Sequence, residues 1–214
     1  MSLKIAVSLK KILFLFVFLL FSLNTGAQIN IYLGGNLQGN YSWIRGEEPK
    51  MKPGFGGGFS FVYWEHEYWF IKAGLDYTYR SSSCLNYPED YGIPVDDPGD
   101  KIRITYNEQN LGIPLTLCFR PYEQGENTLL LTATLHPMVV VHLKESSAEY
   151  GELILRGTDV KTRVRTNVGV GVGYQRQLDR HLYLNIIPSF NVDLRSARPY
   201  QSINLTAELI FGVY

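Results

Sequence analysis

The sequence predicts an all-β protein, an eight-stranded antiparallel up-and-down transmembrane β-barrel. Three observations lead to this fold class: a short apolar leader begins the chain, eight long runs alternate apolar with polar residues, and short and long connections alternate between the runs. Alternation of this kind indicates strands with one apolar face. Runs of about ten residues match the length that a tilted strand needs to cross a bilayer.

The composition fits such a barrel and argues against two other classes. The chain has 214 residues with 20 Lys+Arg and 20 Asp+Glu, so it lacks the excess of basic residues typical of nucleic-acid-binding proteins. Aromatic residues make up 14% and hydrophobic residues 45%, which is not the composition of a disordered chain. The two cysteines do not make a disulfide framework. We expect Cys84 in an outer loop and Cys118 near the opposite end of the barrel, too far apart to be bonded.

Residues 1–27 have the pattern of a cleaved secretory signal peptide. Three lysines precede an apolar run over residues 12–23, and small residues end the segment at Ala27. The apolar run is shorter than the roughly 20 residues of a membrane-spanning helix, so a retained anchor is the disfavoured alternative. The sequence therefore predicts a signal peptide over residues 1–27 and an outer-membrane β-barrel domain over residues 28–214.

Eight runs in the mature chain are predicted to form the barrel strands. In chain order they cover residues 29–34, 54–63, 69–80, 110–120, 128–143, 163–175, 182–193 and 203–213. Hydrocarbon offers the backbone no hydrogen-bond partners, so a sheet that spans the membrane must close on itself. The fifth run is the least regular, because it is apolar on both faces beyond Pro137. A soluble β-sandwich or a lipocalin-like barrel is the alternative fold.

The connections between the runs predict which end of the barrel faces outward. Outer-membrane barrels have short periplasmic turns and longer outer loops. The predicted long connections cover residues 40–53, 81–101, 144–161 and 195–201, and they alternate with turns at residues 65–67, 121–127 and 178–181. The N-terminus then lies on the periplasmic side. Aromatic residues such as Trp69 and Tyr79 lie near the ends of the runs, where such barrels carry aromatic girdles.

Charged residues occupy positions predicted to face the barrel interior. They are Lys72, Asp76, Arg80, Glu108, Arg120, Arg163, Arg165, Asp193, Arg195 and Glu208. An eight-stranded barrel has room for little beyond its own side chains, and an unpaired buried charge is costly, so we expect a salt-bridged network. A small polar pore or ligand cavity is the alternative. We expect Arg163 and Arg165 near the outer rim, where they could also contact lipopolysaccharide phosphates.

No catalytic, cofactor or metal site is predicted. His136 and His142 could point inward, but a hydrolytic site needs a nucleophile beside its base, and neither histidine has the neighbours of a lipid-hydrolysing barrel enzyme. His66 lies in a turn whose flanking carboxylates point apart, which is typical of a solvated turn. The acidic stretch between Glu89 and Asp100 lacks the spacing of a calcium-binding loop.

Parts of the chain resemble a known family of outer-membrane barrels. They are the leader end Gly26-Ala27-Gln28, the glycine-rich run GFGGGFSF over residues 54–61, and the run YNEQNLGIPLTLCFRP over residues 106–121; the chain also ends in an aromatic residue, Tyr214, as barrel proteins often do. Within the third stretch, Leu111, Ile113, Pro114, Leu115 and Leu117 match a strand pattern of the PorT-like family, which the chain therefore resembles. The resemblance implies an outer-membrane barrel. The namesake of the family is implicated in protein secretion across the envelope.

Together these features predict a non-enzymatic outer-membrane β-barrel protein of a Gram-negative envelope. It would present outer loops or act as an accessory to envelope secretion or assembly. A small-solute channel or a lipid-binding barrel is the alternative, followed by a lipid-modifying enzyme. The expected partners are outer-membrane lipid and lipopolysaccharide, the barrel insertion machinery and an envelope secretion complex. We expect a monomer that uses no cofactor and binds no nucleic acid.

Overall fold

A computed structural model describes residues 31–64, 66–94, 99–153, 163–194 and 199–213 of the chain. The predicted signal peptide and Tyr214 lie outside the described residues. No helix within these ranges is long and apolar enough to cross a membrane.

The described chain is built almost entirely from β-strands. In order they are β1 Ile31–Ile44, β2 Glu47–Tyr63, β3 Trp69–Asn86, β4 Ile102–Gly112, β5 Leu115–Gln124, β6 Asn127–Ser147, β7 Gly151–Leu153, β8 Arg163–Asp179, β9 Leu182–Leu194 and β10 Tyr200–Val213. A short 3-10 helix, Pro88–Tyr91, lies in the connection after β3.

The strands close into a ring in which every neighbouring pair is antiparallel. The first strand, β1, pairs with both β2 and β10, and pairing continues through β9, β8, β6, β4 and β3 back to β2. The β4 and β5 segments together make one wall strand, because both pair with β3 and with β6. Pro114 has no N–H to donate and interrupts this strand, yet its carbonyl still accepts a hydrogen bond from Gly74 N at 3.1 Å. The described wall therefore has eight strands, and the predicted fold class is confirmed.

The two faces of the wall differ as the alternation predicted. Large apolar side chains point outward without protein cover: Leu37 and Phe59 are each 76% exposed, and Leu75 and Val170 are similarly open. Inward positions are occupied mostly by buried polar, charged and glycine residues. An apolar outer belt around a polar interior is the surface that a bilayer-spanning barrel presents to lipid.

Several strands extend beyond their predicted bounds at the end of the barrel away from Ile31 and Val213, which we call the outer end because the sequence predicts a periplasmic N-terminus. Residues 40–53 were expected to be a long loop, but β1 extends to Ile44 and β2 begins at Glu47, so only Arg45 and Gly46 lie outside the two strands. The two strands pair with each other as far as Ser42 and Lys52. In the same way β3 continues to Asn86, so Cys84 lies within a strand rather than in a loop. Beyond the membrane both faces of a strand meet water or protein, so the apolar alternation fades while the backbone pairing continues.

The irregular fifth run is one continuous strand with a bulge. Gln109 pairs with His142 while the adjacent Asn110 pairs with Val140, which leaves Val141 as the extra residue in β6. A bulge reverses which face the following side chains occupy. His136 therefore points inward as expected, whereas His142 is exposed, and the expectation that it points inward is wrong.

Candidate functional site

Four inward positions bring two arginines and two carboxylates into one cluster, here called the arginine cluster. Arg80 on β3 lies directly across from Glu108 on β4 and donates to its Oε1 at 2.6 Å. Arg80 Nη1 also donates to Asp193 Oδ1 on β9 at 2.9 Å. Arg165 on β8 lies 2.7 Å from Glu108 Oε2 and 3.1 Å from Asp193 Oδ2. Charges of opposite sign therefore alternate around the cluster, and its formal charge sums to zero.

The arginine cluster is sealed from solvent. The Arg80 side chain is 3% exposed, and those of Glu108 and Asp193 are fully buried. The guanidinium carbon of Arg80 lies 4.4 Å from the centre of the Tyr200 ring, and that of Arg165 lies 5.4 Å from it. The four charges are removed from water. Their pairing with one another and the cation–π contacts of both arginines with the Tyr200 ring stabilise them in the interior.

A second ion pair lies deeper in the barrel. Lys72 Nζ donates to Glu208 Oε2 at 2.6 Å, and both side chains are buried. The same carboxylate accepts hydrogen bonds from Ser60 Oγ and Asn185 Nδ2, each at 3.0 Å. Three donors thus satisfy Glu208, so the pair is a fixed part of the interior.

Asp76 and His136 form a third interior contact, which is partly buried, between His136 Nε2 and Asp76 Oδ1 at 2.9 Å. Gly112 on the neighbouring strand makes room for it, because a Cβ there would collide with the imidazole. Within the described residues no group of three His, Cys, Asp or Glu side chains is arranged to hold a metal ion.

The remaining predicted interior charges fall outside this core. Arg120 lies at the periplasmic end, 2.9 Å from Glu123 Oε2 and stacked over the Trp64 ring. The Arg163 side chain and Arg195 lie outside the described residues. The sequence predicted that Arg165 could contact lipopolysaccharide at the outer rim, but in the structure its guanidinium group binds Glu108 and Asp193 in the arginine cluster.

A polar cavity of about 110 Å³ lies between these charged pairs. Its walls include Lys72 and Glu208 on one side and Asp76 and His136 on another. Neutral polar side chains complete much of the lining: Asn36, Gln38, Thr116, Thr132, Thr134, Ser189, Asn191 and Thr206. By volume the cavity has room for several water molecules.

Apolar clusters lie on both sides of the charged interior. The periplasmic apolar cluster consists of Val62, Phe70, Cys118, Leu130, Ile187 and Ile210. The outer apolar cluster consists of Ile44, Cys84, Tyr91, Ile102, Ile104, Tyr106 and Tyr200. The two cysteines thus lie at opposite ends, as predicted. The clusters themselves were not predicted, although aromatic or aliphatic residues at inward positions near strand ends indicate them.

Comparison with known proteins identifies the fold and nothing finer. No family model matches the chain, and no curated protein matches it. Neisserial surface protein A (NspA) matches with a TM-score of 0.55 and 15% identity, over 86% of this chain and 97% of that one. Ail of Yersinia pestis, in complex with the heparin analogue sucrose octasulfate, matches with a TM-score of 0.44 and 14% identity, over 85% and 99% of the two chains. The closed ring, the apolar belt and the likeness to NspA show that the chain has the fold of an outer-membrane β-barrel.

Proposed function

We propose that this protein is a non-enzymatic outer-membrane barrel of a Gram-negative envelope that works through its outer surface rather than through its lumen. The observation that carries the proposal is the layered interior: an apolar cluster, a set of buried ion pairs and a second apolar cluster follow one another along the barrel axis. The signal peptide over residues 1–27 would direct the chain across the inner membrane and then be removed.

The outer end of the barrel has extended strands and a hairpin that a partner could contact. The strands β2, β3 and β4 project beyond the apolar belt, and β6 continues into a hairpin with β7. The resemblance to the PorT-like family at residues 106–121 favours an accessory role in envelope secretion or assembly. The partners in this proposal are lipopolysaccharide, the barrel insertion machinery and an envelope secretion complex, with the barrel itself a monomer.

Crosslinking in intact cells tests the proposal. Outer membranes are isolated, the tagged protein is purified after crosslinking, and its partners are identified by mass spectrometry. We expect the protein in the outer-membrane fraction, crosslinked to envelope proteins through residues of the outer end. Extraction of the protein by carbonate washing, or crosslinks confined to the periplasmic turns, would contradict the proposal.

The polar cavity favours a second candidate, a lumen that admits small solutes. Its neutral amide and hydroxyl lining suits small polar molecules. Single-channel recording in planar bilayers separates this candidate from the first, because a solute channel must conduct ions in discrete steps. Lipid A mass spectrometry on cells with and without the protein tests the enzymatic alternative, for which a change in acylation would be the positive result.

A further inference from the structure

A cationic surface lies on the outward face of β2 and β4, at the outer end of the barrel. We call it the outer cationic patch and define it as Lys50 and Lys52 on β2, Arg103 on β4, and Lys101 directly before β4. Lys50, Ser83 and Thr105 lie side by side across three neighbouring strands, and Lys52 Nζ donates to Thr105 Oγ1 at 3.0 Å. Arg103 is two residues from Thr105 on the same strand and therefore shares its face.

The patch is not neutralised by the protein. Lys101 binds Glu47 at 2.6 Å and Arg103 binds Glu48 at 2.9 Å, which leaves two cations in excess over carboxylates. Among the described residues, Lys50 and Lys52 have no carboxylate within ion-pair distance. The described part of the fold therefore supplies carboxylate partners for Lys101 and Arg103 but none for Lys50 and Lys52.

Aromatic residues locate the patch relative to the bilayer. On the same outward face, the Phe55 ring packs against the rings of Tyr79 and Tyr77, with centroids 5.4 and 6.3 Å apart. Such girdles lie at the level of the lipid head groups. Thr105 is four residues further out along β4 than Gln109, the partner of Tyr79, or about 13 Å along the strand. With strands tilted by about 45°, this distance is roughly 9 Å along the membrane normal, so the patch lies on the outer side of the aromatic girdle and faces sideways.

We propose that the outer cationic patch binds the phosphate groups of lipopolysaccharide in the outer leaflet. Ammonium groups bind phosphate as point charges, and a guanidinium donates two parallel hydrogen bonds. Lys50 and Lys52 would supply the uncompensated charge, while Arg103 and the Thr105 hydroxyl would add donors. The apolar belt directly below would contact the acyl chains. This inference rests on the proposed location in the outer membrane, and it places lipopolysaccharide binding here rather than at Arg163 and Arg165.

Binding of defined lipids to the detergent-purified full chain tests the inference by native mass spectrometry. The probes are diphosphoryl lipid A, the same lipid A without its phosphates, and phosphatidylglycerol. The test variant is Lys50→Gln with Lys52→Gln. The matched control is Lys144→Gln with Arg176→Gln, which removes the same charge from two exposed cations that have their own carboxylate partners. A heat-dependent shift in gel mobility establishes that each variant is folded.

We expect the test variant to bind diphosphoryl lipid A at least tenfold more weakly than the wild type, and the control to bind it unchanged. Dephosphorylated lipid A should bind the wild type as weakly as diphosphoryl lipid A binds the test variant. Equal binding by wild type and test variant, or an equal loss in the control, would overturn the inference. Equal affinity for phosphatidylglycerol would show a general phosphate site instead. Cell fractionation is independent of these results, so absence from the outer membrane would count against the proposed function alone.

Discussion

Arg80 lies between two fully buried carboxylates, and its removal should be among the most damaging single changes in the chain. Arg80→Met keeps much of the side-chain volume but leaves Glu108 and Asp193 with only Arg165 to balance them. Breaking a buried charge pair in this way costs about 3–5 kcal/mol. Urea unfolding of the barrel in phospholipid vesicles measures the loss.

Arg176 provides the control for this change. It lies 3.9 Å from Glu126 with both side chains exposed, so Arg176→Met should cost no more than about 1 kcal/mol. A similar loss of unfolding free energy in the two variants would show that the arginine cluster contributes no more than an exposed pair.

Gly112 shows why glycine is needed at one inward position. A Cβ at Gly112 would collide with the His136 ring and lie 2.8 Å from Asp76 Oδ1, so Gly112→Ala must separate this pair. Nothing lies within 4 Å of a Cβ at Gly39, which faces lipid. We expect Gly112→Ala to lower the urea midpoint and Gly39→Ala to leave it unchanged or to raise it slightly, because alanine loses less backbone entropy than glycine. Equal midpoints would argue against crowding in the interior.

At the scale of single strands, the face assignment predicts where charge is tolerated. Leu75 on β3 and Val170 on β8 both point into lipid. Leu75→Arg and Val170→Arg should each cost roughly 2–4 kcal/mol if they lie near the bilayer midplane. Leu75→Ala and Val170→Ala are the controls, since lipid fills the space that a smaller side chain leaves. The folding yield of each variant in vesicles is the measurement, and we expect lower yields for the arginine variants than for the alanine variants. Equal yields would contradict the face assignment.

The length of β3 makes a separate prediction about thiol access. Cys84 is 2% exposed within the outer apolar cluster, where Gly46 of the β1–β2 turn lies against it. We expect maleimide to label neither Cys84 nor Cys118 in the folded barrel and to label both in urea. Tyr91→Ala should open the outer cluster and expose Cys84 alone. Rapid labelling of Cys84 in the folded wild type would show that the outer mouth is open.

The strand cores could be predicted from sequence because the membrane imposes alternation on them. Leu75 and Val170 had to be apolar, and their neighbours had to fit the interior. The outer extensions of β1 and β2 could not be predicted, since no lipid face constrains residues 40–53. The bulge at Val141 was also hidden, because Val140 and Val141 are both apolar and give no sign of which one faces inward.

For the whole molecule, the sequence predicted inward positions for the four members of the arginine cluster but not that they would meet. Arg80 and Glu108 are neighbours across one strand pair, whereas Arg80 and Asp193 join opposite parts of the wall. The second kind of contact depends on the tilt and stagger of the closed barrel, and these are properties of the ring rather than of any strand. The outer cationic patch also depends on how the strands are placed in the ring, because its cations come from β2 and from the start of β4, on either side of β3.

Closure of the lumen at several levels predicts how the molecule responds to local opening. The periplasmic apolar cluster, the arginine cluster and the outer apolar cluster lie in series, so ions must pass all three. Phe70→Ala should weaken only the first barrier, because apolar constrictions block ions by excluding water and the other layers stay intact. We therefore expect no steady conductance from the wild type or from Phe70→Ala in planar bilayers. Discrete conductance steps in the wild type would contradict closure, and steps in Phe70→Ala alone would show that the periplasmic cluster is the single barrier.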